Sequence, residues 1–246
     1  MDPIIICPYL YDQEKLEIEQ KFSLGNINGK HLKFFFWQDK KMIGPELAFE
    51  FCWGQFPDRD IIIIHSDMAP SYEDSNNSWF DQLLQFREML PYAGIIGCNL
   101  FYPRAPQQKT TIVQCAGGTF LNGRIGHLHG PVSHKLGSEG IAASTLNQIR
   151  KVPWATFGGV LIRRSVIDAC GKFDRRYSWA YVRDVDYCFE ARKRGFQVFQ
   201  VPVSLLHEES RTTRPLMLAN PKLSTQAADN LKTFYEKWSR NSFLEL

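Results

Sequence analysis

A chain of 246 residues with 44% hydrophobic content can bury a sizeable core and fits one large α/β domain with at most a short appendage. Its 29 basic and 26 acidic residues leave a formal charge of +3, too balanced to predict a nucleic-acid partner, whereas anionic small molecules stay open as ligands. The six cysteines, Cys7, Cys52, Cys98, Cys115, Cys170 and Cys188, form no CxxC pair and sit mostly in apolar runs, which predicts reduced thiols and a cytoplasmic, reducing compartment. Met1-Asp2-Pro3 lacks a basic start, and Ile61 to Ile64 is the longest apolar block, so neither a cleavable leader nor a transmembrane segment is expected.

Ile4 to Cys7 reads as a buried strand. A charged helix follows over Gln13 to Phe22, with Leu16 and Ile18 among its few apolar anchors, and Gly25-Asn26 and Asn28-Gly29 mark a turn. Leu32 to Trp37 is a second apolar run, Pro45 to about Trp53 has helical spacing in Leu47 and Phe51, and Ile61 to Ile64 is a third strand. This β-α-β-α-β alternation predicts a mostly parallel sheet with right-handed crossovers. Ligands of such sheets bind at the carboxyl ends of the strands, so Pro8 and Tyr9, Gln38 and Asp39, and His65, Ser66 and Asp67 are expected to converge on one crevice.

Trp79 to Leu90 reads as an amphipathic helix with Phe80, Leu83, Leu84 and Met89 inward, followed by a strand at Ala93 to Cys98. From Phe101 to Arg150 the chain is rich in Gly, Pro and His and reads as irregular, with one short strand at Thr111 to Gln114. Val160 to Ile162 is a strand, and Ser165 to Cys170 a short helix ended by Gly171. An aromatic loop (Phe173, Tyr177, Trp179, Tyr181) then gives way to a helix from Val185 to about Arg194, which places Asp184 and Asp186 at its N-terminus, where the dipole and free N–H groups favour carboxylates. Asp186 is expected to serve mainly as a cap. Gly195 stops the helix, Phe196 to Val201 alternates as a strand, and Pro202 opens a run to His207, Glu208, Glu209 and Ser210. The tail, residues 216–246, reads as a helical extension packed on the domain formed by residues 1–215. Ser224 is its expected N-cap, and Ala227, Leu231, Phe234, Tyr235 and Trp238 share a face; dimerisation and peripheral membrane contact are the alternative uses of that face.

Three polar residues after a strand, His65-Ser66-Asp67, suit a divalent cation that shares oxygen ligands with a diphosphate. An aspartate there also caps turns, and His207 taken alone reads equally as a structural histidine; only the two together point to a metal. Asp184, in a polar crevice at a helix start, is expected to keep a low pKa and to accept a proton from a sugar hydroxyl. Gly117-Gly118 and Gly158-Gly159 allow close backbone approach of a ligand, or tight turns. Trp154 and Trp179 suit either stacking on a sugar face or core packing. The spacing of His127, His129 and His134 matches no zinc pattern.

Taken in order, His65-Ser66-Asp67, Gly171-Lys172-Phe173-Asp174, Arg183-Asp184-Val185-Asp186-Tyr187-Cys188, Gly195-Phe196, Pro202 and His207-Glu208-Glu209-Ser210 resemble the GT-A fold glycosyltransferases of family 2, especially rhamnosyltransferase-like bacterial and viral members. The resemblance covers roughly residues 55–215. It implies a Rossmann-like α/β fold and a metal-dependent inverting transfer from a nucleotide-diphosphate sugar to a hydroxyl of a glycan, glycoprotein or glycolipid. Asp67 and His207 then hold a divalent ion, Mn2+ before Mg2+, and Asp184 is the catalytic base. Pro8, Tyr9, Asp39, His65, Ser66, Asp67, Gly158 and Arg211 are the candidates for holding the donor, a UDP-sugar before a GDP- or dTDP-sugar, with Lys41 a further positive charge for the phosphates. Trp154 and Trp179 are the candidates for the acceptor. The sequence departs from the pattern in Arg183, where the family commonly has Glu, in Glu190, where it commonly has Arg, and in His65-Ser66, where relatives carry further aspartates. The alternative reading is a nucleotide-sugar or carbohydrate-binding module with a degenerate site. A sugar-phosphate nucleotidyltransferase is disfavoured because no Gly-rich basic loop follows the first strand.

Overall fold

The computed structural model describes residues 1–23, 32–72, 74, 78–105, 107, 111–121, 123–129, 139–140, 143–179, 181–209, 211 and 213–238. The turn at Gly25 to Gly29, His134 and Ser210 lie outside the described residues. In chain order the elements are β1 (Ile4–Tyr9), α1 (Asp12–Ser23), β2 (Phe34–Gln38), α2 (Pro45–Gly54), β3 (Ile61–Ile63), β4 (Met68–Pro70) and α3 (Trp79–Met89). Then come β5 (Ala93–Tyr102), β6 (Ile112–Cys115), β7 (Gly118–Leu121), β8 (Arg124–His129), β9 (Glu139–Gly140), β10 (Arg150–Lys151) and β11 (Val160–Ile162). The chain continues through α4 (Arg164–Cys170), α5 (Arg183–Lys193), β12 (Gln197–His207), α6 (Thr213–Ala219) and α7 (Pro221–Trp238).

The strand order β10-β12-β5-β11-β3-β1-β2 forms the central sheet, with β4 on the end of β12 and β6 on the end of β5. β2, β1, β3, β5 and β12 all run one way, and the short β11 opposes them between β3 and β5. Successive residues of each strand enter opposite layers: Ile4, Ile6, Ile61 and Ile63 pack towards α2, α4, α5 and α7, whereas Ile5, Cys7, Ile62 and Ile64 pack towards α1 and α3. Both faces are covered, which is why these strands read as unbroken isoleucine runs and not as an alternation. Crossover α1 lies on one face and α2 on the other, so the strand order reverses beside β1. That reversal opens a crevice at the carboxyl ends of β1 and β3.

Several local expectations are corrected. Leu16 and Met89, read as inward anchors, are 52% and 62% exposed; Ile18 and Phe22 hold α1, and Trp79, Phe80 and Leu83 hold α3. Phe51 is also exposed, and Phe49, Cys52 and Trp53 form the buried stripe of α2. The segment read as irregular carries, beyond the expected short strand, which is β6, an antiparallel β7–β8 hairpin, because its glycines serve turns and close packing: a Cβ on Gly118 would stand 2.0 Å from the Trp154 ring. Pro202 lies inside one continuous β12, at a register shift between Val201 and Ser204 where a missing N–H is tolerated. α7 begins at Pro221, so Ser224 lies within the helix and is not its cap.

Asp186 makes no cap bond to α5. It is buried and accepts hydrogen bonds from Tyr177 Oη at 2.8 Å and Trp238 Nε1 at 2.7 Å, while Lys237 Nζ lies 2.8 Å away. These bonds, with Phe234 and Trp238 packed on Phe189, fix α7 to the body of the molecule. Trp238→Ala is expected to lower stability by about 3–5 kcal/mol, since a large buried side chain is lost and Asp186 loses a donor; the urea midpoint measures it. No helix among the described residues is long and apolar enough to cross a membrane.

Candidate active site

The turn after β3 carries His65, Ser66 and Asp67, and β4 returns antiparallel to the end of β12, pairing Met68 with His207. Glu208 N–H donates to the Asp67 carbonyl at 3.0 Å, so the turn and the strand end are stapled together. This brings His207, distant in sequence, to His65 and Asp67 in one group whose ligand atoms lie within 4.8 Å of one another. His207 Nε2 stands 3.1 Å from Asp67 Oδ1. Gln114 on β6 donates its amide N–H to the His207 carbonyl at 3.1 Å, which turns its Oε1 to His207 Nδ1 at 2.6 Å. Gln114 Oε1 thus accepts the Nδ1–H of His207, which leaves Nε2, beside the Asp67 carboxylate, as the ring nitrogen turned to the group.

Burial first, and then the charge of His207, push the His65 imidazole down to about 4, so His65 is neutral at ordinary pH. Its Nε2 is buried with no hydrogen-bond partner among the described residues. Burial opposes the charge of Asp67, but His207, by charge and hydrogen bond, and His65 outweigh it and hold the carboxyl well below the usual range. An ionised carboxylate beside two imidazoles is a donor set for a divalent cation, which would take the place of the proton between His207 Nε2 and Asp67.

Asp184 sits in the first turn of α5, half-buried, with its Oδ1 accepting the Val185 N–H at 2.8 Å. The expected low pKa is corrected: burial pushes the carboxyl up to about 6, against the N–H groups of Val185 and Phe157 and the Thr156 hydroxyl. Trp179, Tyr181 and Val182, just before α5, have φ of 45°, 71° and 69°, a left-handed turn that costs side-chain-bearing residues about 1–3 kcal/mol each. Asn230 of α7 braces it, accepting the Ser178 N–H at 2.8 Å and donating to the Ser178 and Tyr181 carbonyls at 2.7 and 3.3 Å. Arg183 does not line the cavity: it is buried and its Nη2 donates to the Tyr177 carbonyl.

One cavity of about 740 Å³ joins these groups. Pro8, Tyr9, Asp39, His65, Ser66, Asp67, Trp154, Trp179, Asp184 and His207 all line it. Asp39 spends its carboxylate oxygens on the N–H groups of Ile43 and Gly44, at 3.0 and 3.2 Å, and so fixes the entry to α2. Trp154 is a wall residue, buried, with Nε1 donating to the Thr119 carbonyl at 3.2 Å and its ring edge-on to His127. Gly158 lies behind the His65 ring, where a Cβ would stand 3.4 Å from Nδ1, and is not part of the lining. Arg211 and Lys41 are not part of it either; Arg211 pairs with Glu17 and Glu208, and Lys41 is exposed.

Four contributions went unread in the sequence. Glu46 opens α2 with the same signal as Asp184, an acidic residue in a first helical turn, here directly behind Pro45. Arg124 and His127 come from β8, within the stretch read as irregular. Leu216, Leu231 and Tyr235 give the cavity an apolar wall from α6 and α7. Gln114, which orients His207, left no local signal at all.

No protein-family model and no curated protein matches the chain. Among solved structures it superposes on GalNAc-T7, crystallised with UDP, GalNAc and Mn2+, with a TM-score of 0.54 at 8% identity, over 84% of this chain and 44% of that one. This is the GT-A fold. The chain thus spans less than half the length of GalNAc-T7. Two further likenesses are A197 from STIV, at 10% identity over 84% of this chain and 85% of that one with a TM-score of 0.47, and S. aureus TarS, at 11% identity over 99% and 74% with a TM-score of 0.48. In the GT-A frame of this chain, the His65, Asp67 and His207 group lies at the strand ends and Asp184, in the first turn of α5, lines the same cavity.

Proposed function

We propose that this chain is a glycosyltransferase that moves a sugar from a nucleotide-diphosphate sugar to a hydroxyl of a glycan, glycoprotein or glycolipid, by a metal-dependent displacement that inverts the anomeric carbon. The observation that carries this reading is the placement of the His65, Asp67 and His207 group and of Asp184 on one GT-A cavity. The charge of the lining supports it. Glu14, Asp39, Glu46, Asp67, Asp184 and Glu209 all line the cavity, against Arg124 as its one Lys or Arg among the described residues. A diphosphate is repelled by such a wall unless a cation accompanies it.

The donor set fits that cation. Two imidazoles and one carboxylate, with His65 Nε2 buried and unpartnered, favour Mn2+ over the oxygen-seeking Mg2+. When bound, such an ion stabilises the charge that gathers on the leaving diphosphate. The nucleotide is held by the strand-end turns at Tyr9 and Ser66, and the UDP and Mn2+ of the GalNAc-T7 structure favour a UDP-sugar here. Asp184 takes the proton of the acceptor hydroxyl, with the Val185 N–H fixing the orientation of its carboxylate. A single carboxylate acting on the nucleophile suits one in-line displacement, and hence inversion.

The test is nucleotide release from UDP-, GDP- and dTDP-sugars with Mn2+, as a function of pH. One donor is expected to be turned over, at least slowly into water, with a rate that rises with pH through about 6. The sign follows from the role: the base works ionised, and a raised pKa leaves it protonated below that pH. A protein that binds a donor and releases no nucleotide at any pH would instead be the binding module.

A further inference from the structure

α2 and α5 begin at the same corner of the cavity, and each brings a carboxylate there in its first turn, Glu46 and Asp184. Gly44, which opens α2 with φ 98°, is packed so closely on the 179–182 turn that a Cβ there would stand 2.5 Å from the Trp179 carbonyl oxygen. Glu46 is 7% exposed, faces the cavity, and its Oε2 has no hydrogen-bond partner among the described residues. Among the described residues no ion pair within 4.0 Å discharges it, and Arg183, the neighbouring guanidinium, gives its Nη2 to the Tyr177 carbonyl. A buried and a half-buried carboxyl that line the same corner of one cavity do not both ionise freely; their titrations belong to the pair.

We propose that Glu46 is the second carboxyl of the reaction site, a positioning residue that works through Asp184 as its proton-sharing partner. This rests on the glycosyl-transfer reading above only for its consequence, not for the pairing. Burial first, and then the Asp184 charge, push the Glu46 carboxyl up to about 7, while Arg183 and the N–H groups of Glu46 and Tyr181 act weakly the other way. With Asp184 at about 6, the pair holds one proton near neutrality and Glu46 is its main carrier. In the transfer, the acceptor O–H bond breaks and its proton passes to Asp184. The acceptor oxygen forms its bond to the sugar C1 as the C1–O bond to the diphosphate breaks and takes its electron pair away. Once Glu46 has ionised, that proton transfer relieves repulsion between two carboxylates, so Asp184 becomes a stronger base above neutrality. Glu46 thereby supplies, from α2, a carboxylate neighbour for Asp184 that the sequence lacks at Arg183.

Carbon-13 NMR of carboxyl-labelled glutamate in the whole chain tests the pairing without any turnover, with Glu46→Gln identifying the resonance. Glu46 is expected to titrate at about 7 in the wild type and about one pH unit lower in Asp184→Asn, where the like charge is gone. A Glu46 that titrates in the ordinary glutamate range, or at the same pH in both proteins, overturns the proposal. The pH profile of nucleotide release then tests the consequence. The wild type is expected to show a second rise of about threefold to tenfold through neutrality, absent from Glu46→Gln, whose rate levels off above the Asp184 inflection. Profiles of identical shape would also overturn it. If no donor is turned over, the transfer reading fails, while the NMR titration still decides the pair; if Glu46→Gln does not fold, the wild type and Asp184→Asn decide it.

Discussion

Asp184→Asn is expected to lower sugar transfer by about 10²–10⁴-fold in kcat, while the affinity for a UDP-sugar with Mn2+ stays within about threefold of the wild type. The asparagine side chain keeps the shape of the carboxylate and an oxygen that accepts the Val185 N–H, so the start of α5 is preserved. What disappears is the ability to take a proton. In the proposed transfer the donor is held by the 65–67 turn and the end of β12, and not by Asp184, so its binding has no reason to change. Isothermal titration of donor and Mn2+ separates the two quantities. Near-normal turnover in this variant would show that another group acts as base, and Glu46, the other carboxyl at that corner, would be the first to examine. A loss of donor affinity matching the loss of rate would instead make Asp184 a ligand of the donor.

The parts of this site legible in the sequence are those fixed by local rules. Isoleucine runs that feed directly into His65-Ser66-Asp67 announce a buried strand and its carboxyl end, and the step from an aromatic loop to Asp184 announces a helix start. The alternation of strands and helices carried the parallel sheet and its crevice in the same way. Burial of individual helix faces was harder to see. Leu16 and Met89 are apolar but point outward, because the face that meets the sheet is chosen by Ile18 and Phe22 in α1 and by Trp79 and Leu83 in α3. Long-range partners left no trace. Asp186 has every local feature of a cap, yet it binds Lys237 and Trp238 from a helix 51 and 52 residues away. Gln114 likewise looks like an ordinary strand residue until β6, paired on β5, brings it to the ring of a histidine 93 positions further on.

That histidine leads to the second large effect. Asp67→Ala and His207→Ala are each expected to lower nucleotide release by on the order of 10³-fold, and chelation by EDTA should do the same to the wild type. The reason is the imbalance of the lining: with six carboxyl groups, not all of them ionised, and one arginine among the described residues, the cavity has little of its own to set against a leaving diphosphate. Mn2+ should restore the chelated wild type and Mg2+ restore it less, because two of the three ligands are imidazoles. Ligand atoms spread over 4.8 Å must close by under about an ångström to share one ion, since two ligands at about 2.1 Å from a metal are at most ~4.2 Å apart. Gln114→Ala offers the finer test. It removes no ligand but frees the His207 ring, so Mn2+ affinity should fall about 10- to 100-fold while turnover at saturating Mn2+ recovers. Turnover insensitive to EDTA would leave the His65, Asp67 and His207 group a structural hydrogen-bond cluster, and the diphosphate charge would then have to be met by Arg124, whose replacement by alanine should in that case cost as much as the loss of Asp67.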